Sequence, residues 1–277
     1  MTLSLQQSTR PSVAKQLAAA LDLRSAGLLS EALDVLGNPG EYDAYLYSVR
    51  AEIEFELGRF QDAALSYFSV TISDPDNSSA HYNLALCLER CKRWDVASEA
   101  FRRVLLLDAG REDARLGLGA CLLHLNRAEE ALMIFDQCGR DLEPGPALIG
   151  KAVALQLLHR FDEARTPYLA LLASNPNSEE ALSNLIAVSI ESDDLKSVRD
   201  YSLRLLEICP HSTVALQGLA TVAFDGSDHP AAASYCDRLL ELAPDCLDAW
   251  HNFRIAMDHS SFSSSEPPFA LRTGGKQ

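Results

Sequence analysis

Long apolar runs are missing from this sequence. No stretch of its 277 residues approaches the roughly 18–20 apolar residues that cross a bilayer, so membrane insertion is not expected. The opening MTLSLQQSTRPSVAKQLAAAL lacks a basic start followed by an apolar block, so a signal peptide is not expected either. No stretch alternates apolar and polar residues with period two, which argues against strands. No Gly-rich phosphate loop, GxSxG, HExxH or CxxC occurs. The expectation is therefore a protein that is not an enzyme and needs no cofactor. Basic residues are scarce, 24 Lys and Arg against 39 Asp and Glu, for a net charge of −15. Such a surface repels phosphate backbones and counts against nucleic acid, while it favours partners with basic patches. The seven cysteines are odd in number and scattered through apolar runs, which fits reduced thiols and a cytoplasmic location. Apolar residues are abundant at 47%, enough for a large core and too many for global disorder.

What the chain does have is a ruler. The stretch ASNPNSEEALSNL (173–185) places a proline five residues before an alanine, and EICPHSTVALQGL and ELAPDCLDAWHNF do the same. That alanine recurs as Ala80, Ala114, Ala147, Ala181, Ala215 and Ala249, at spacings of 34, 33, 34, 34 and 34. A second ladder of small residues runs through Ala32, Ala63, Ala97, Ala131, Ala164, Val198 and Ala232, at spacings of 31, 34, 34, 33, 34 and 34. Two ladders in phase mark an internal repeat.

One period reads as two helices. From Asp113, the residues Ala114, Leu118, Cys121, Leu122 and Leu125 recur at helical spacing. LNRAEE is a polar break, and Ala131, Leu132, Phe135 and Cys138 form a second stripe. Gly119 and Ala131 lack bulk, so the two helices are expected to cross closely there. An aromatic follows four residues after the second small position, as Tyr67, Phe101, Phe135 and Tyr168. It can fill the space where one hairpin meets the next. A single hairpin cannot bury its apolar face alone, so stacking is required.

These residues resemble the tetratricopeptide repeat. The best-matching unit is SAHYNLALCLERCKRWDVASEAFRRVLLLDA, with Leu84, Ala85, Leu88, Trp94, Ala97 and Phe101 at the family's signature positions. The closing proline is present as Pro75, Pro176, Pro210 and Pro244, while Ala109 and Glu143 stand in for it in two copies. The resemblance implies an all-α fold, a right-handed α-solenoid of about seven helical hairpins plus a C-terminal capping helix. Its expected bounds are 12–258, with repeats near 12–41, 44–77, 78–111, 112–144, 145–178, 179–212 and 213–246, and the cap at 247–258. Residues 1–11 read as an extension. Residues 259–277 are rich in Ser, Pro and Gly and read as a disordered tail, with PPFALR as a docking motif in the alternative. The first helix of the second repeat looks shifted by about a residue. Pro167 is expected to kink the helix that holds it. Arg254 and Asp258 give the cap its polar character.

Binding in such a solenoid is expected on the concave face, lined by the first helix of each repeat. Carried across position by position, the third repeat offers Tyr82, Asn83, Leu86, Glu89 and Arg90. The fourth offers Leu116, Ala120, Leu123 and His124, and the fifth Ile149, Val153, Gln156 and Leu157. The sixth offers Ser183, Asn184, Ile190 and Glu191, and the seventh Gln217, Thr221 and Phe224, with Asp225 beside them. Leu123, Ile149, Val153 and Leu157 are apolar outside the helix-packing positions and suggest an exposed patch. The alternative, that packing covers part of it, stays open. Gly117 and Gly150 would open space beside it, and Glu52 and Glu56 on one side, Glu191 and Asp225 on the other, would flank it with acid. An apolar peptide with basic flanks suits such a groove. The Lys/Asn/Arg clamp that tetratricopeptide co-chaperones use on a C-terminal carboxylate is not matched: Asn83 and Asn184 fill the asparagine position, but Ser48 with Glu52 and Ile149 with Val153 stand where Lys and Asn are needed. Cys87, Cys91, Cys121 and His124 are read as packed residues and not as metal ligands. The leading expectation is a non-enzymatic scaffold or adaptor for a protein or peptide partner. Self-association, or a place in an enzyme or metal-binding complex, are the alternatives.

Overall fold

The computed structural model describes residues 13–37, 44–138 and 145–259. The expected extension, and the expected tail beyond its first residue His259, lie outside the described residues. Among those residues there are fifteen helices and no strand. They fall into two compact units, Met1–Leu142 and Glu143–Gln277. In the first unit α1 (Val13–Ser25) is followed by α2 (Leu29–Leu36), α3 (Ala44–Glu56) by α4 (Phe60–Ser73), α5 (Ser78–Arg90) by α6 (Trp94–Leu107), and α7 (Glu112–His124) by α8 (Ala128–Asp136). In the second unit α9 (Gly145–Leu157) is followed by α10 (Phe161–Ser174), α11 (Glu179–Glu191) by α12 (Leu195–Ile208), and α13 (Thr213–Asp225) by α14 (His229–Leu242), with α15 (Leu247–His259) last. Each first helix packs on its second, and each second helix from α4, α6, α10, α12 and α14 packs on the next first helix. First helices also touch directly: α1 meets α3, α5 meets α7, and α11 meets α13. Each unit is thus a two-layer stack, first helices on one side and second helices on the other.

Every first helix is 13 residues long. Ala44–Glu56 lies 34 residues ahead of Ser78–Arg90, so the shift expected in the second repeat is absent. α10 runs unbroken through Pro167, which is buried in it.

The reversal inside each pair has one chemistry. The Arg93 N–H donates to the Leu88 carbonyl at 2.8 Å, and the Lys92 N–H to the Glu89 carbonyl at 2.8 Å, with Lys92 left-handed at φ 58°. This is a Schellman closure, which satisfies the last carbonyls of the helix and turns the chain in three residues. Gly27, Gly58, Asn126, His159, Asp193 and Ser227 take the same left-handed place. The repeat-closing proline also acquires a role. The Pro75 carbonyl accepts from Arg103 at 3.1 Å and meets the His81 ring at 3.0 Å. Pro210 accepts from Arg238 at 3.2 Å, Pro244 from the Trp250 indole at 2.9 Å, and Pro176 from Arg204. Proline has no N–H to give, but its carbonyl ties the end of one pair to the helices of the next.

All seven residues of the second small ladder, from Ala32 to Ala232, are fully buried. In the first ladder Ala147 alone is only half-buried. The four ladder aromatics are buried too. Phe101 reaches across to α7, where a Cβ added at Gly117 would lie 2.4 Å from its ring. A Cβ at Gly119 would lie 2.6 Å from the Phe135 ring. The room at Gly119 is therefore taken by the Phe135 ring, which comes from the same helix as Ala131. The cap's Arg254 and Asp258 are exposed, while Ala249, Phe253 and Ala256 pack on the last core.

Candidate functional site

The expected groove residues occupy helix positions 5, 6, 9, 12 and 13 of the first helices, and none is fully buried. In the first unit Tyr82, Asn83, Leu86, Glu89, Leu116, Ala120 and Leu123 are half-buried, and Arg90 and His124 are exposed. In the second unit Ile149, Val153, Gln156, Ser183, Asn184 and Phe224 are half-buried, and Glu191, Gln217 and Thr221 are exposed. Leu157 is 45% exposed and Ile190 38%. Their neighbours Leu84, Cys87, Leu118, Cys121, Leu185 and Val188 are buried. One edge of each of these helices thus stays open while the rest is packed. Ile149, Val153 and Leu157 share a stripe on α9 at intervals of four residues; Leu123 belongs to the other unit.

Several of these side chains already serve the fold. Tyr82 meets Phe101 edge-on at 5.9 Å, and the Arg111 guanidinium sits 4.1 Å over its ring. Asn83 lines a cavity with Tyr67, whose hydroxyl is pushed well above the usual tyrosine range by burial. Gln156 accepts from the Tyr168 hydroxyl at 2.8 Å, and burial pushes that hydroxyl up to about 12. The Asn184 amide donates to the Glu180 carbonyl at 3.0 Å, and the Thr221 hydroxyl to the Gln217 carbonyl at 3.0 Å. Gly117 does not open groove space, because the Phe101 ring fills it. Gly150 is buried.

The acidic flank in the first unit also needs correcting. Arg24 bridges from α1 to α3, pairing with Glu52 and Glu56 at 2.5 Å each, so two carboxylates there share one guanidinium. The two hydrogen bonds raise the Arg24 pKa further. Beside this trio a cavity of about 160 Å³ is lined by Phe55, Tyr67, Asn83 and Leu86. Deeper in α3, Glu54 is 2% exposed and held by Arg50 and Ser66, both at 2.7 Å. Glu89 is half-buried, and that burial raises its pKa from the ordinary carboxylate value. His124, across on α7, stacks on Trp94 with ring centroids 3.9 Å apart. In the second unit Glu191 and Asp225, at matching positions on α11 and α13, are both exposed.

The cysteines offer little chemistry. Burial pushes the Cys87 and Cys121 thiols up to about 12 and Cys236 up to about 11, which keeps them protonated at neutral pH. Among the described residues no group of three or more His, Cys, Asp and Glu is placed to hold a metal ion. No helix among them is long and apolar enough to cross a membrane.

A family model described as the cilia and flagella-associated protein 70 middle TPR-like domain matches residues 49–244. The chain is also similar to solved structures. The C-terminal part of a TPR repeat-containing protein from Cytophaga hutchinsonii aligns with a TM-score of 0.71 at 17% identity, covering 85% of this chain and 98% of that one. A tetratricopeptide repeat protein from Parabacteroides merdae gives 0.60 at 14%, covering 88% and 98%. PilF of Pseudomonas aeruginosa gives 0.59 at 18%, covering 78% and 97%. At such identities the likeness bears on fold alone.

Proposed function

This chain belongs to the family of the cilia and flagella-associated protein 70 middle TPR-like domain, and we propose that it is a non-enzymatic scaffold or adaptor that holds a peptide segment along its first helices. Tetratricopeptide folds mediate protein–protein interaction, and their first helices are the natural surface for it. The observation that carries the reading is the α9 stripe. Ile149, Val153 and Leu157 stay at least partly open on a helix whose other face is packed. Open apolar side chains in a row are a contact surface that water does not favour. Glu191 and Asp225 stand exposed on α11 and α13, so the peptide is apolar where it meets α9 and basic on the side of those helices. The basic flank once expected on the other side is dropped, since Arg24 already answers Glu52 and Glu56.

The test is selection from a random-peptide library displayed on phage, followed by binding of the selected peptides to variants. Selected peptides should share an apolar centre with Lys or Arg to one side. Val153→Lys and Leu157→Lys should each weaken them at least about tenfold, a loss of about 1.4 kcal/mol, with helicity and melting unchanged. Peptides that bind both variants as they bind the parent chain would remove the α9 stripe from the site.

A further inference from the structure

The second-helix layer of the first unit carries an apolar feature that the groove reading does not use. On α4, Leu65, Phe68 and Ile72 point outward and are 67%, 52% and 65% exposed. At the same repeat positions other second helices mix charge with a single apolar residue: Glu99, Arg102 and Leu106 on α6, Asp200, Leu203 and Glu207 on α12. A row of three large apolar side chains is peculiar to α4 among these helices, and it forms a ridge along the helix. Directly beside the ridge lies a groove of about 370 Å³. Leu65 and Phe68 form one wall and Val96 of α6 the other, over a floor from Leu84 and Leu88 of α5. Its lining has no acidic residue, and Arg93 at its rim lies 3.8 Å from the Asp95 carboxylate.

We propose that this face docks a second copy of the chain, the α4 ridge of each copy seated in the α4–α6 groove of the other. Two features select that occupant. Ridge and groove sit side by side on one surface, so a two-fold axis brings both pairs together at once and leaves neither exposed. The charge also selects this face. Copies that each carry −15 repel one another on most approaches, and a groove whose lining holds no Asp or Glu is where two such chains bring the least acid against acid. The same argument fixes the salt response. Added salt screens the long-range repulsion and leaves the apolar contact intact, so pairing strengthens as salt rises.

Sedimentation velocity on the full chain, over roughly a thousandfold range of concentration, reads this directly. The mass should move from the 30.3 kDa of one chain towards twice that value, at lower concentration in higher salt. Phe68→Glu and Leu65→Lys change exposed side chains, so each should keep the parent's circular dichroism and melting. Each should also move the midpoint of pairing at least about tenfold higher in concentration. A single-chain mass at every concentration and salt overturns the proposal, and so does a dimer that persists undiminished in both variants. A dimer that weakens as salt rises also overturns it, since that behaviour belongs to an ion-paired interface elsewhere.

Discussion

The joint between α6 and α7 and the joint between α12 and α13 fill the same positions of the repeat in opposite ways. In the first, Phe101 is fully buried and its ring points at Gly117. In the second, the residue at the aromatic's position is Ser202, also fully buried, and it faces Gly218. A Cβ at Gly218 would lie 2.5 Å from the Ser202 hydroxyl, 3.1 Å from Ile186 and 3.2 Å from Val198. One joint is filled by a large ring set into a glycine notch. The other is filled by α13 coming in close against small and branched side chains. Both need the glycine, and only the first needs the ring. The repeat period is thus preserved by position, while the filling is solved locally.

That contrast predicts opposite signs for one substitution. Phe101→Ala removes a buried ring that also meets Tyr82 edge-on at 5.9 Å, and should cost about 3–5 kcal/mol. Because each pair touches only its neighbours, the loss should concentrate in the amide exchange of α5 to α7 as well as in urea unfolding. Ser202→Ala should instead stabilise by about 1 kcal/mol, because the buried Ser202 hydroxyl has no hydrogen-bond partner among the described residues. A destabilising Ser202→Ala would mean that the hydroxyl does have a partner, and the two joints would then be less different than their shapes suggest.

The repeat itself was legible from the sequence because it lies in small residues at fixed spacing, and small residues are where helices must approach. The aromatic ladder was legible for the same reason up to Tyr168, and its interruption at Ser202 was visible but carried no meaning without Gly218 opposite. The row of candidate groove residues could be laid out by position, since a first-helix residue that is not packed in one copy tends to stay open in the next. What each side chain does there was not legible. Whether Gly117 opens a groove or receives a ring depends on which way Phe101, sixteen residues earlier, is turned. The Arg24 pairing with Glu52 and Glu56 joins residues 28 and 32 apart, and in an acidic chain no local pattern picks out those carboxylates from the rest. The role of the proline carbonyls is not legible in the sequence, because sequence patterns mark proline as a stop, not as an acceptor. The α4 ridge was written plainly as Leu65, Phe68 and Ile72, but three apolar residues on a second helix look like core until packing leaves them outside.

The smallest expected effect tests whether the two regions differ anywhere besides their joints. The hairpins that lead into them turn alike, with Lys92 at φ 58° and Asp193 at φ 56°. Neither is glycine, so each carries a Cβ in the left-handed region, where it crowds its own carbonyl. Lysine gains nothing in return, whereas aspartate tolerates that conformation through local hydrogen bonding of its short polar side chain. Lys92→Gly should therefore raise the stability of the α5–α6 pair by about 0.5–1 kcal/mol, after the greater freedom of glycine in the unfolded chain is counted against it. Asp193→Gly should give less than half of that in the α11–α12 pair. Urea midpoints at constant slope for the two variants decide it. Equal gains would show that aspartate is as strained as lysine in this turn, and the contrast between the regions would then rest on Phe101 and Ser202 alone.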